Sequence, residues 1–231
     1  IAGHIIECGE HATGGNFTGF RTIASMIKPG FPIAEIAEDG TTIITKHARD
    51  GGAVTIDTVT AQLLYEIQGP RYLNPDVTAH VDSVRLSLIG PDRIQVAGVR
   101  GSPPPSTTKV AVFAQIGFQI VKLVFASGLD VDAKTDLLRS QIEDLTRDSG
   151  IDELSVTRLG TTSADPKSQW DSTVTIRIMA TARSEQALSP KNFALKLDSL
   201  YLSSFPGFFT DTAALPVVTP RPRIEYWPAL K

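Results

Sequence analysis

The second half of the chain carries one order of elements that few folds accept. Runs rich in β-branched and apolar residues at 118–125, 154–159, 173–182 and 223–226 read as strands. Between them, Leu137, Leu138, Ile142 and Leu145 recur at helical spacing within 132–147, and Phe193, Leu195, Leu197 and Leu200 do so within 189–203. The order is β-α-β-β-α-β, a ferredoxin-like split pattern in which two helices cover one sheet. The polar connection 161–171 is expected to be a mobile hairpin loop.

The first part reads differently. Two β-rich runs, 33–36 and 41–45, flank Glu38-Asp39-Gly40, and the Asp-Gly step signals a hairpin. Thr58 is expected to cap a helix through Val59, Leu63, Leu64 and Ile67, stopped by Gly69-Pro70. A second hairpin has Val84, Leu86 and Leu88 before Gly90-Pro91-Asp92, with Ile94, Val96 and Val99 returning. The stretch from Gly101 through Pro103-Pro104-Pro105 to Ser106 is a stiff connection, so a boundary is expected between Asn74 and Ser106. The expected architecture is α/β in the broad sense (α+β). Residues 1–80 would be the carboxy-terminal portion of an α/β domain, and residues 81–231 a hairpin followed by the ferredoxin-like domain.

Composition narrows the classes of function. With 42% hydrophobic and 20% charged residues in 231, the chain is long enough and apolar enough for ordinary cores. Net charge is −3, and Lys and Arg are scattered, which argues against nucleic acid as a partner. The most apolar stretch, 110–126, is interrupted by Gln115, Gln119 and Lys122 and falls short of the roughly 20 residues of a membrane span. One cysteine, Cys8, excludes an intrachain disulfide and a cysteine zinc cage, and points to a reducing, cytoplasmic setting. The start at Ile1, with no Met and no secretory pattern, reads as a piece of a longer polypeptide.

Chemistry-bearing residues concentrate in 3–17, which holds His4, Glu7, Cys8, Glu10, His11, Thr13, Gly14, Gly15 and Asn16. Glu7, Glu10 and His11 are candidates for general acid and base. Cys8 is a candidate nucleophile or simply a small buried apolar group. Gly14 and Gly15 form either a tight turn or a nest of amides for an anion. His4, Glu7 and His11 match no zinc spacing, so no metal is expected.

A second cluster, 45–52, offers Lys46 and Arg49 with Gly51-Gly52, suited to an anion near a helix start or to a solvated loop. In a third, Arg100-Gly101 precedes three prolines, which make a spacer or a stiff wall behind Arg100. Tyr226-Trp227-Pro228 reads as an aromatic anchor for the tail.

These stretches, with Ile44-Thr45-Lys46, Thr58-Val59-Thr60, Gln62 to Ile67, Tyr72-Leu73 and Pro75-Asp76-Val77, resemble the AtuA-type acyclic terpene utilisation family in the family's order. His11 and His47-Ala48-Arg49 depart from the family pattern. The resemblance implies an amino-terminal α/β half that this chain lacks, and a role in catabolism of acyclic terpenes such as citronellol and geraniol, beside enzymes of branched acyl-CoA thioesters.

The expected function is therefore an intracellular enzyme acting on a branched carboxylic acid or acyl-CoA by hydration, dehydration or carbon–carbon cleavage. Glu7, Cys8 and His11 would be catalytic, and Thr13, Gly14, Gly15, Asn16, Lys46, Gly51, Gly52 and Arg100 would bind the anionic ligand. No cofactor is expected; the expected partners are the substrate, the amino-terminal half and further copies in a homo-oligomer. The rivals are a non-catalytic binding or assembly subunit and a Cys8-dependent hydrolase.

Overall fold

The computed structural model describes residues 1–213 and 215–230. Helices and antiparallel sheets mix throughout, an α+β fold that divides after Val110 into two compact units. The first comprises Ile1–Val110 with the tail from Pro228, and the second Ala111–Trp227. Among the described residues, no helix is long and apolar enough to cross a membrane.

In the first unit, α1 (Ala2–Glu7) leads into a tight 3-10 turn, Gly9–Thr13. Strands β1 (Ile33–Ile36) and β2 (Thr42–Thr45) form the expected hairpin, with Ile33 opposite Thr45 and Ile36 opposite Thr42. Helix α2 (Ile56–Leu64) is capped three residues before the expected position. Thr55 is the N-cap, accepting the Thr58 amide at 3.1 Å while the Thr58 hydroxyl accepts the Thr55 amide at 2.9 Å. This reciprocal box leaves Thr58 inside the first turn. The helix also stops at Leu64, well before Gly69-Pro70, because Tyr65 turns extended and Glu66 enters the left-handed region at φ +61°.

Short strands β3 (Arg71–Leu73) and β4 (Thr78–His80) pair, followed by the hairpin β5 (Arg85–Gly90) and β6 (Arg93–Ala97) and then β7 (Arg100–Ser102). One sheet has the order β1-β2-β6-β5 and a second β3-β4-β7. The second hairpin was expected in the later domain, but β6 pairs with β2, Thr42 opposite Val96, so it closes the first sheet. Arg100 and Gly101 are likewise paired in a sheet rather than loose in the proline connection, because those residues keep the amides that the prolines lack. Ile5, Ala12, Ile44, Val54, Val59, Leu63, Ile94 and Val96 make the core of this unit.

The second unit contains β8 (Thr107–Ser127), α3 (Val131–Thr146), β9 (Glu153–Leu159), β10 (Thr173–Ala182), α4 (Pro190–Asp198), β11 (Phe208–Thr210) and β12 (Val218–Leu230). The sheet order is β11-β8-β10-β9, with β12 also on β8, and β8, β10, β9 and β11 are antiparallel. That is the expected split β-α-β arrangement, with Ile120, Val124, Ile176 and Ile178 facing Leu138, Ile142, Phe193 and Leu197. The expected final strand near 223–226 is longer, and the short strand β11 precedes it.

The 161–171 connection is pinned rather than loose. Gln169 is fully buried, its Oε1 accepts the Val131 amide at 2.9 Å, and its Nε2 donates to the Ser163 carbonyl at 2.7 Å. The loop thus supplies the cap that Asp130, in the left-handed region, does not give to α3.

Candidate functional site

Ile5 and Ala12 are both fully buried and dock α1 and the following turn on the Val59 and Leu63 face of α2. That docking buries His4, one residue before Ile5, and leaves Glu7, one turn on, half exposed. His4 Nδ1 lies 2.6 Å from Glu7 Oε1, and His4 Nε2 lies 3.1 Å from the Leu63 carbonyl oxygen. A carbonyl only accepts, so Nε2 carries a proton. A second proton lies between Nδ1 and the carboxyl, on one or the other. Glu7 Oε2 has no hydrogen-bond partner among the described residues, and the side chain is half exposed.

Gln62 joins this pair to the second histidine. It is fully buried on α2; its Nε2 donates to the His4 carbonyl at 2.8 Å, and its Oε1 takes the Nδ1 proton of His11 in a short hydrogen bond. With Nδ1 so engaged, neutral His11 carries its lone pair on Nε2, the form a general base needs. Tyr65 stands edge-on to His11 at 5.1 Å between ring centroids, and the Tyr72 ring is 5.3 Å from that of His4. One buried amide therefore links two proton-carrying groups, His11 directly and Glu7 by way of His4.

The glycines have another task. The amides of Gly14 and Gly15 donate to the carbonyls of His11 and Glu10, and those of Gly51 and Gly52 to Lys28 and Ser25, at 2.8–3.2 Å. The first two close their own turn and the last two join separate loops, so all four amides are engaged within the chain instead of open to an anion. Their bareness is required by contact: at Gly52, with φ +72°, a Cβ would stand 2.5 Å from the Thr13 carbonyl oxygen. Thr13 is fully buried, donates to Gly30 O at 2.6 Å and accepts the Ala53 amide on its carbonyl at 2.9 Å. It is a staple between three loops rather than a ligand group.

Lys46 is also engaged. Its ammonium is buried, donates to the Asp50 carbonyl at 2.9 Å and pairs with Asp92 at 3.4 Å, so it does not serve as a free counter-charge. Asn16, directly after Gly14-Gly15, is exposed, with φ +53°. Cys8 is exposed, and among the described residues no imidazole bonds its thiol. Arg100 is exposed on β7, opposite His80, in the other sheet of the unit. Among the described residues no cluster of three metal-ligating side chains forms.

The profile of acyclic terpene utilisation family protein AtuA matches residues 1–231, the whole of the chain. The chain belongs to this AtuA family. No curated protein and no solved structure matches it.

In this AtuA family member the segment 3–17 does come together with α2, as a polar network rather than a glycine nest. Sequence reasoning named His4 within the segment but gave it no role, and missed Gln62 in this network and Asp92 beside Lys46. Gln62 left a signal, since it sits three residues after Val59 and one before Leu63, an amide on the apolar stripe of an AtuA helix. The bond from His4 to Leu63 and the pairing of Asp92 with Lys46 left none, because those partners lie 59 and 46 residues away in the sequence.

Proposed function

We propose that this protein is an acid–base enzyme of acyclic terpene catabolism, acting on a branched carboxylic acid or its CoA thioester. The reaction would be hydration, dehydration or carbon–carbon cleavage next to a carbonyl. One observation carries the reading: buried Gln62 orients His11 through Nδ1 and fixes the backbone of His4, whose ring in turn holds Glu7. Acid–base catalysis needs a base with a free lone pair and a second group able to hold or release a proton. His11 Nε2 fits the first role and Glu7 the second. In a dehydration, His11 would take the proton next to the carbonyl while Glu7 delivers one to the departing hydroxyl.

The family's link to acyclic terpene utilisation supports the substrate class. The test uses a branched 3-hydroxyacyl thioester and its α,β-unsaturated counterpart, followed by the enoyl-thioester absorbance. Glu7→Gln and His11→Asn should each lower turnover by about 10²–10⁴-fold with an unchanged circular dichroism spectrum. Full activity in both variants overturns the reading.

A further inference from the structure

The sheet β3-β4-β7 has two unlike faces. On one, Tyr72 approaches His4, and Ala79, its register partner, is buried. On the other, Arg71, His80 and Arg100 stand in a single row, Arg71 opposite His80 and His80 opposite Arg100. Adjacent strands lie about 4.8 Å apart, so the two arginines begin about 10 Å from each other with the imidazole between them. His80 Nε2 bonds the Ser102 hydroxyl at 3.0 Å on this same face.

A third guanidinium comes from β5. Arg85 and Arg100 line one open cleft of about 670 Å³, with Ser83 and Gly98. The turns carrying them are closed on each other, since a Cβ on Gly98 would stand 2.5 Å from the Ser83 carbonyl oxygen. Like charges side by side on a sheet are destabilising unless something neutralises them. Elsewhere Arg93, Arg158 and Arg221 each pair with a carboxylate, whereas among the described residues no ion pair forms at Arg71, Arg85 or Arg100. The cleft holds one carboxylate, Asp82, against this charge.

We propose that this face binds a phosphate-bearing small molecule, a diphosphate or phosphate ester, through Arg71, Arg85 and Arg100. A guanidinium fork matches two phosphate oxygens at once, and three forks, two in the row and one across the cleft from Arg100, call for several anionic oxygens, more than one carboxylate supplies. His80, between Arg71 and Arg100, and Ser102, bonded to it, add donors. The net negative charge and the confinement of the patch to one short row favour a small molecule over a nucleic acid. This site stands independently of the acid–base roles of Glu7 and His11.

The test is calorimetric titration of the full chain with pyrophosphate, with malonate and phosphatidate-containing phosphatidylcholine vesicles as comparison arms. Pyrophosphate should bind one to one, and R85Q and R100Q, both at exposed positions, should each weaken it by about tenfold or more while keeping the wild-type circular dichroism spectrum. R71Q should weaken it as well, and added salt should loosen all binding. Absence of binding at millimolar pyrophosphate, equal affinity for malonate, or binding unchanged in R85Q and R100Q overturns the proposal. Binding to the vesicles without binding to pyrophosphate overturns it too, and would mark a lipid-facing surface.

Discussion

Lys46 Nζ stands 3.4 Å from Asp92 Oδ2, and the other oxygen of that carboxylate accepts the Val54 amide at 2.7 Å. One side chain from the β5–β6 turn thus ties the end of β2 to the approach of α2.

Breaking that tie has an unequal cost. Lys46→Glu places two carboxylates together around a buried position and should unfold the first unit, so any loss of activity there would report stability. Lys46→Met keeps the volume and should cost about 1–3 kcal/mol, because Asp92, about one-third exposed, loses its cation but keeps the Val54 amide. Urea unfolding of both variants checks this; a Lys46→Glu protein as stable as wild type would contradict it.

His4→Ala should destabilise by about 2–4 kcal/mol, since it removes a buried ring, opens a cavity and leaves the Leu63 carbonyl without its donor. Glu7→Gln, half exposed, should shift the thermal midpoint far less. Thermal melts by circular dichroism separate the two. Equal losses would mean that Glu7 is as structural as His4.

Two glycines with similar backbone angles should respond differently to alanine. Gly40 has φ +83° with no atom near a new Cβ, so Gly40→Ala costs only the left-handed strain, about 1 kcal/mol. Gly52→Ala adds a collision with the Thr13 carbonyl and should cost about 3 kcal/mol or more. Denaturant midpoints at constant slope would show the order, and reversed values would mean the three loops can move apart.

Stability should fall in acid partly through Glu35. The bidentate hydrogen bonds from Arg93, at 2.9 and 2.5 Å, hold the Glu35 carboxyl below its ordinary value, and the Thr41 amide does the same for Asp39. A depressed carboxylate contributes stability above its unfolded value, near pH 4, and loses it as pH falls through the folded value. Both groups are exposed, so the effect is modest. Urea midpoints from neutral pH to about pH 3 should drop less steeply in Glu35→Gln than in wild type; identical slopes would refute the assignment.

What could be read in advance follows from how far each interaction reaches along the chain. Hairpins closed by Asp39-Gly40 and Pro91-Asp92, and the helices of 131–146 and 190–198, depend on neighbours within a few residues, and the sequence marks them. The start of α2 was misplaced because two threonines three apart can each cap, and the choice of Thr55 depends on both hydroxyls closing the box.

The site was legible only as a place. Residues 3–17 contain Glu7 and His11, and composition alone singled them out as candidate proton carriers. Their arrangement, with Gln62 bonded to His11 and to the His4 carbonyl, needed α1 to dock on α2, and the glycines beside them proved to be points of close backbone approach once the partner loops arrived.

By itself, then, the sequence determined the local elements, the split β-α-β order of the second unit and the segment where titratable groups gather, because periodicity and turn chemistry are short-range. Tertiary structure alone decided which strands share a sheet and which amides are already engaged. It also set Lys46 against Asp92 and Arg71 in line with Arg100. These are contacts between distant residues, fixed by burial and by the need of each buried donor for an acceptor.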